Sequence, residues 1–218
     1  MPAHPADGVG PAGPAPSARH VPGLAQDLRG MVRFHAVEQD ADAILRRRVA
    51  ELLGAATSTR GSSDADAAVA IHVGRLCPRC GSAAHGRPWA RVADLATSIG
   101  VSLSRSGPHL ATAVRADGPI GVDIEEIRAV TSRWDEALVA HPSELGLATT
   151  ALEQARMWTR KEAVLKALGT GLAVAMVQVD LLEHQVVDVP APQGFVAAVA
   201  LDGPRRLGGG GPDVGSVG

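Results

Sequence analysis

Apolar residues recur at helical spacing first across residues 39–53, QDADAILRRRVAELL, where Ile44, Leu45, Val49, Leu52 and Leu53 fall on one face. Asp40 or Asp42 is placed to cap this helix, and Gly54 to end it. The segment AAVAIHVGRL (67–76) reads as a strand, followed by a loop through CPRCGSAAHGRP. GVSLSRSG then reads as a strand, a Gly-Pro turn follows, and HLATAVRADGPIGVDIE gives two further strands joined at Asp117-Gly118. Over 151–168, ALEQARMWTRKEAVLKAL, the period changes again. Leu152, Ala155, Met157, Trp158, Ala163, Val164 and Leu168 recur at three- and four-residue steps, and Gly169 is a natural stop. GFVAAVALDG (194–203) predicts a last core strand, and no sequence repeat is visible.

Both ends lack this periodicity. Residues 1–29, rich in Pro, Gly and Ala, and the glycine-rich 204–218 predict disordered tails around a folded body. A chain of 218 residues suffices for one sizeable core or two small ones. Only two Phe, three Trp and no Tyr are present, so the core must be aliphatic and base-stacking platforms have almost no material. A net charge of −2 argues against a general polyanion binder, and no nucleic-acid partner is expected. No stretch approaches the ~18 apolar residues of a membrane span, and no signal peptide is visible. A cytoplasmic protein without a membrane partner is the expectation.

Candidate chemistry starts at PIGVDIEEI (119–127). On a strand, Asp123 and Glu125 share a face, and two carboxylates about 7 Å apart repel unless a cation sits between them. A solvated strand end would explain a lone DIE equally well. Downstream, Glu162 lies four residues before Lys166, on the same helical face. Of the 21 basic residues only Lys161 and Lys166 are lysines, and both flank Glu162. A compact ammonium suits a moving phosphate charge; the plainer reading is an ordinary Glu–Lys helix pair.

GVDIE followed by WTRKEAVLKALGTGL resembles the 4′-phosphopantetheinyl transferase family. The upstream HGRP and VSLSRSG resemble further motifs of its Sfp-type branch, and GFVAAVA its closing strand. The resemblance implies an α+β fold of two similar halves forming a pseudo-dimer, about 30–115 on the coenzyme A nucleotide side and 116–203 carrying the metal carboxylates. It implies transfer of the phosphopantetheine arm of coenzyme A to a serine of an acyl or peptidyl carrier protein, with release of 3′,5′-ADP. Mg²⁺ would be held by Asp123, Glu125 and Glu162, since this hard cation takes oxygen ligands and keeps waters. Glu162, directly or through a water, would take the serine proton, with Glu144 of HPSE as the alternative base. Lys166 would stabilise departing phosphate oxygens. Coenzyme A would be contacted by Arg87 and Pro88, by Ser104 and Arg105, and by Lys161 and Lys166. Many members carry His where Arg105 stands; arginine still binds phosphate, but no titrating imidazole is present there. The chain is expected to act as a monomer, with Arg156 and Arg160 offering an acidic carrier a basic surface. The Arg46–Arg48 run reads more simply as a solvated helix face than as a phosphate contact.

CPRC (77–80) supplies two zinc ligands where a closed structural site needs four; His72 and His85 are the residues that could complete it. Free buried thiols are the simpler reading. A reading of a different class follows: a non-catalytic binding module stapled by zinc, for which one tightly bound zinc would speak. A diverged coenzyme A-dependent transferase with another acceptor is the remaining alternative.

Overall fold

The computed structural model describes residues 28–58, 70–77, 79–93 and 98–204. It is a mixed helix-and-sheet fold, as expected of an α+β protein. Strand β1 (Val32–Ala36) is followed by helix α1 (Ala41–Ser58), then β2 (Ile71–Leu76), β3 (Arg87–Val92), β4 (Gly100–Ser106), β5 (His109–Arg115) and β6 (Ile120–Glu126). Two short helices, α2 (Ile127–Thr131) and α3 (Glu136–Val139), lead to the long α4 (Ala151–Leu168), and β7 (His184–Val189) and β8 (Phe195–Pro204) close the fold.

Three antiparallel sheets result, ordered β1-β5-β4, β2-β3 and β6-β8-β7. Helix α1 starts where Asp40 Oδ1 accepts the N–H groups of Asp42 and Ala43, so Asp40 is the cap. Gly54 does not stop it; the helix runs on to Ser58. Its Leu45 and Val49 pack with Val101 and Val114. The residues between these on β5, Ala111 and Ala113, face the other way and join Ile120, Val122, Ile124, Ala197 and Val199 of the β6-β8 pair. Strand β5 is therefore apolar on both faces, which is why its sequence does not alternate cleanly. The opposite face of β8, Ala198 and Ala200, receives Ala163, Val164 and Ala167 of α4.

Arg48 is buried on α1. It donates to the Thr112 carbonyl at 2.6 Å and hydroxyl at 2.9 Å, and to the Met31 carbonyl at 2.6 Å. Burial lowers its pKa to about 10. It is a structural clamp, whereas Arg46 and Arg47 are exposed as a solvated face should be. The expected N-terminal tail also ends earlier than residue 29, because Leu28 is buried in the core and Arg29 Nε donates to the Asp188 carbonyl. Residues 1–27 and 205–218 lie outside the described residues, and Pro204 still belongs to β8.

One buried ion pair ties α4 to the segments on either side. Lys161, fully buried, puts Nζ 2.6 Å from Glu144 Oε2 and donates to the carbonyls of Met176 (3.1 Å) and Val179 (2.7 Å). Glu144 accepts from His141 N and Leu181 N, both at 2.9 Å. All three ammonium hydrogens have acceptors, so the charge is compensated; desolvation still lowers the Lys161 pKa, with Glu144 opposing. Lys161→Met leaves Glu144 buried and unpaired and is expected to cost about 3–5 kcal/mol in denaturant unfolding; a loss below ~1 kcal/mol would show that the pair holds little.

The closest backbone approach is between α4 and β6. A Cβ on Gly121 would lie 1.9 Å from the Ala163 carbonyl oxygen and 2.5 Å from Ala167 N, so only glycine fits there. Gly121→Ala must push the helix off the strand, and a destabilisation of about 1–3 kcal/mol or more is expected by thermal unfolding.

Candidate active site

Gly121, Asp123 and Glu125 share the face of β6 turned to α4, and the helix lies tight at Gly121. Glu162 and Lys166, one helical turn apart, come down beside the two strand carboxylates. Lys166 Nζ donates to Asp123 Oδ1 at 2.6 Å and to the Val122 carbonyl at 3.2 Å. Ser104 Oγ donates to the same Asp123 oxygen at 2.7 Å. Asp123 is 1% exposed, and its other oxygen, Oδ2, is buried with no hydrogen-bond partner.

Strand β4 supplies more of this site than Ser104. The free edge of β6 is met by a column of serines in place of a strand partner. Ser102 Oγ accepts Val122 N at 3.0 Å, and Ser106 Oγ accepts Glu126 N at 3.0 Å and donates to Glu125 Oε2 at 3.1 Å. These hydroxyls join two sheets and fix the carboxylates in one step. Their signal in SLSRS was the alternation itself: period two puts Ser102, Ser104 and Ser106 on one face.

The clustered acids feel one another. Burial, and then the Asp123 charge, raises the Glu125 pKa to about 7, with smaller repulsion from Glu162 and with Ser106 and Lys166 opposing. Burial and Asp123 raise Glu162 too, with Lys166 opposing. A buried oxygen without a donor and two carboxyls resisting ionisation describe a site short of positive charge, and these hard oxygen donors fit Mg²⁺. The three carboxylates do not form a tight cage. Among the described residues, the group of three metal-ligating side chains converging within 4.8 Å is Cys77, Cys80 and His85.

Beside the cluster opens a cleft of about 1290 Å³, lined on one side by Arg75, Arg87, Pro88 and Arg91 and on the other by Lys166 and Gly169. Lys166 thus belongs to both cleft and carboxylate cluster. Arg87 lies against the end of α4, where Nη2 donates to the Ala167 carbonyl at 3.4 Å and a Cβ on Gly169 would meet Nη1 at 1.9 Å. Arg75 and Arg91 were not singled out in the sequence: Arg91 shares the β3 face of Arg87, whereas Arg75, across from Pro88, lies on the other face of the pair and donates to Asp42 Oδ1 at 3.0 Å.

Several expected residues stand elsewhere. Lys161 and Glu144 form the buried pair described above; neither ammonium nor carboxylate is free for coenzyme A or a proton. Ser104 is occupied by Asp123, and Arg105, its strand neighbour, is exposed on the opposite face, so the two cannot grip one phosphate together. Arg160 makes a bidentate pair with Asp188, 2.7 Å on each arm, and Arg156 approaches the same carboxylate at 3.4 Å, so the expected basic surface is partly neutralised. Cys80 is exposed and Cys77 half-buried, not the buried thiols expected, and His72 pairs across from Arg91 without joining them. No helix among the described residues is long and apolar enough to cross a membrane.

Residues 119–198 match a family model described as the 4′-phosphopantetheinyl transferase superfamily. The matched span is less than half of the chain, and it holds Asp123, Glu125, Glu144, Glu162 and Lys166. A domain of that superfamily therefore occupies this span, and it supports a phosphopantetheine transferase activity in general, with coenzyme A as the family's substrate. No curated protein matches the chain.

The raised carboxyl pKa values carry a sign for stability. Glu125 ionises near 4.5 in the unfolded chain and near 7 when folded. Its favourable contribution is therefore complete below about pH 4.5 and is lost as pH rises to about 7. In EDTA the thermal midpoint should fall between about pH 5 and about pH 8, and Glu125→Gln should flatten that fall. Identical slopes in the two proteins would contradict the assignment.

Proposed function

We propose that this protein is an Sfp-type 4′-phosphopantetheinyl transferase acting in the cytoplasm on an acyl or peptidyl carrier protein. The observation that carries the reading is the meeting, at Lys166, of an arginine-lined cleft with the Asp123–Glu125–Glu162 cluster, inside the span that matches the superfamily. The cleft has the charge for a nucleotide bearing several phosphates, and Arg87 with Pro88 forms the part of its wall nearest the end of α4.

In the reaction, the carrier serine oxygen bonds to the phosphorus that bears the pantetheine arm. The bond from that phosphorus to the bridging oxygen breaks, and 3′,5′-ADP leaves with the electron pair. Asp123, Glu125 and Glu162 would hold Mg²⁺, which when bound supplies the positive charge that offsets the pyrophosphate. Lys166 holds Asp123 oriented and presents the remainder of its charge to the cleft, where the leaving phosphate develops charge. Glu162, whose pKa is raised by burial and by the Asp123 charge, is the candidate to take the serine proton, directly or through a water. Ser104 and Ser106 act one step removed, by fixing Asp123 and Glu125.

The two-half organisation, 30–115 and 116–203, is part of the same proposal. What supports it is that each three-stranded sheet carries its own long helix, α1 against β1-β5-β4 and α4 against β6-β8-β7. A chain that already contains both halves would act as a monomer.

The test is the intact mass of apo carrier proteins, acyl and peptidyl, after incubation with the protein, coenzyme A and Mg²⁺. A phosphopantetheine-sized gain is expected, absent with EDTA. It should be reduced about 100-fold or more in Asp123→Ala and Glu162→Ala variants whose folding is intact. Undiminished transfer by Asp123→Ala would overturn the site; no gain on any carrier, despite coenzyme A binding, would leave another acceptor as the reading.

A further inference from the structure

The turn between β2 and β3 is built more tightly than its position at the surface requires. Cys77 N donates to the Ser82 carbonyl at 3.0 Å, and the Cys77 carbonyl accepts Gly81 N at 2.8 Å. Gly81 holds a left-handed φ of 72°, which suits glycine. The backbone N–H groups of Arg79 and Cys80 are both directed at the Cys77 sulfur. Farther along the turn, His85 returns so that Nε2 lies 3.4 Å from Cys80 Sγ. The ligand atoms of Cys77, Cys80 and His85 all lie within 4.8 Å of one another, and neither cysteine is in a disulfide. Gly86, with φ of 104°, then seats the chain directly on Leu76 and Cys77, where a Cβ would stand 2.4 Å from backbone atoms.

Each feature has a simple purpose if a soft cation is held here. Tetrahedral zinc with bonds of about 2.3 Å to sulfur and about 2.1 Å to nitrogen sets neighbouring S and N ligand atoms ~3.5 Å apart. The Cys80–His85 separation already has that value, and the wider group needs to draw in by about an ångström. Two thiolates and an imidazole select zinc over magnesium or calcium. His85 and Cys80 are exposed, so the fourth position faces solvent.

We propose that Cys77, Cys80 and His85 form a zinc site, with water in the fourth position, that staples the β2–β3 turn. The turn feeds directly into Arg87 and Pro88, and Leu76, Ala83 and Gly86 of the same segment line the cleft. The ion would stand behind the arginine wall, shaping it without touching the carboxylates. Zinc binding is therefore no argument for a non-catalytic module: the soft-ligand turn and the hard-oxygen cluster are separate groups of residues and take different ions. Only the consequence for the cleft rests on the proposed function; the ion itself does not.

The experiment measures metal, not transfer. The full chain, reduced and purified without chelator, is equilibrated with equimolar ZnCl₂, desalted and assayed by elemental mass spectrometry. About one zinc per chain is expected in the wild type, retained in Asp123→Ala and lowered about tenfold or more in Cys80→Ser and His85→Ala. Co²⁺ loaded in place of zinc should give thiolate-to-cobalt charge-transfer absorption that Cys80→Ser weakens. His85→Ala changes an exposed side chain and keeps the test sound if a cysteine variant fails to fold. Less than about a tenth of an ion per reduced, folded wild-type chain would overturn the site. So would zinc lost in Asp123→Ala but kept in Cys80→Ser, or a Cys77–Cys80 disulfide that persists under reducing conditions.

Discussion

The site depends on one approach, that of α4 to β6 at Gly121. A side chain there would overlap the Ala163 carbonyl and the Ala167 amide, so glycine lets the helix settle onto the strand itself. The carboxylates and the lysine are placed by that contact. Asp123 and Glu125 are the next residues on the same strand face, and Glu162 and Lys166 are the helix residues beside Ala163 and Ala167. The hydrogen bond from Lys166 to Asp123 is a consequence of this spacing and, once formed, a second restraint on it. A helix held even slightly off the strand would leave the same residues too far apart to act on one another.

The two lysines show how position alone divides the work of one residue type. Lys161 turns inward, where two carbonyls and Glu144 satisfy an ammonium with no access to water. It anchors 3₁₀ turns at 142–144 and 176–178 to the middle of α4, so the helix is held from behind while Gly121 holds it from the front. Lys166, a turn and a half further on, faces the cleft and keeps part of its charge accessible. Both lysines lie near Glu162 in sequence, but a helix turns about 100° per residue, so the two ammonium groups leave α4 in different directions.

What could be read from the sequence was whatever local periodicity encodes. Helix α4, its stop at Gly169, a cap of α1 at Asp40 or Asp42 and strands β4 to β6 follow from spacings within a dozen residues, whereas joining Glu162 to Asp123 and Glu125 across about 35 residues took the family resemblance. Strand β1 is short, and β3 has a proline at its second position and ends in a mixed pattern, so neither alternates long enough to stand out. The Lys161–Glu144 pair joins residues far apart in sequence, and no spacing rule reaches that far. The Arg75–Asp42 pair likewise exists only after β2 packs on α1, and the partial neutralisation of Arg156 and Arg160 by Asp188 only after β7 packs beside α4.

The charges of the finished site are sorted in a way that constrains how it can be filled. Arg87 and Arg91 line the cleft, and the carboxylates lie outside its lining, joined to it through Lys166. Under the proposed function, a phosphorylated ligand drawn in by Arg87 and Arg91 would be repelled by Asp123, Glu125 and Glu162 once it extended past the lysine. Conversely, the acids resist full ionisation until a cation joins them, as the raised values for Glu125 and Glu162 show. Under the proposed function, cation and anion would therefore favour each other's binding, each supplying the charge that the other's part of the site lacks. The unpartnered Asp123 Oδ2 sits at the centre of this arrangement, already oriented by Ser104 and Lys166 through its sister oxygen. The fold thus holds that carboxylate desolvated and fixed in place, the preorganisation that the proposed reaction would draw on.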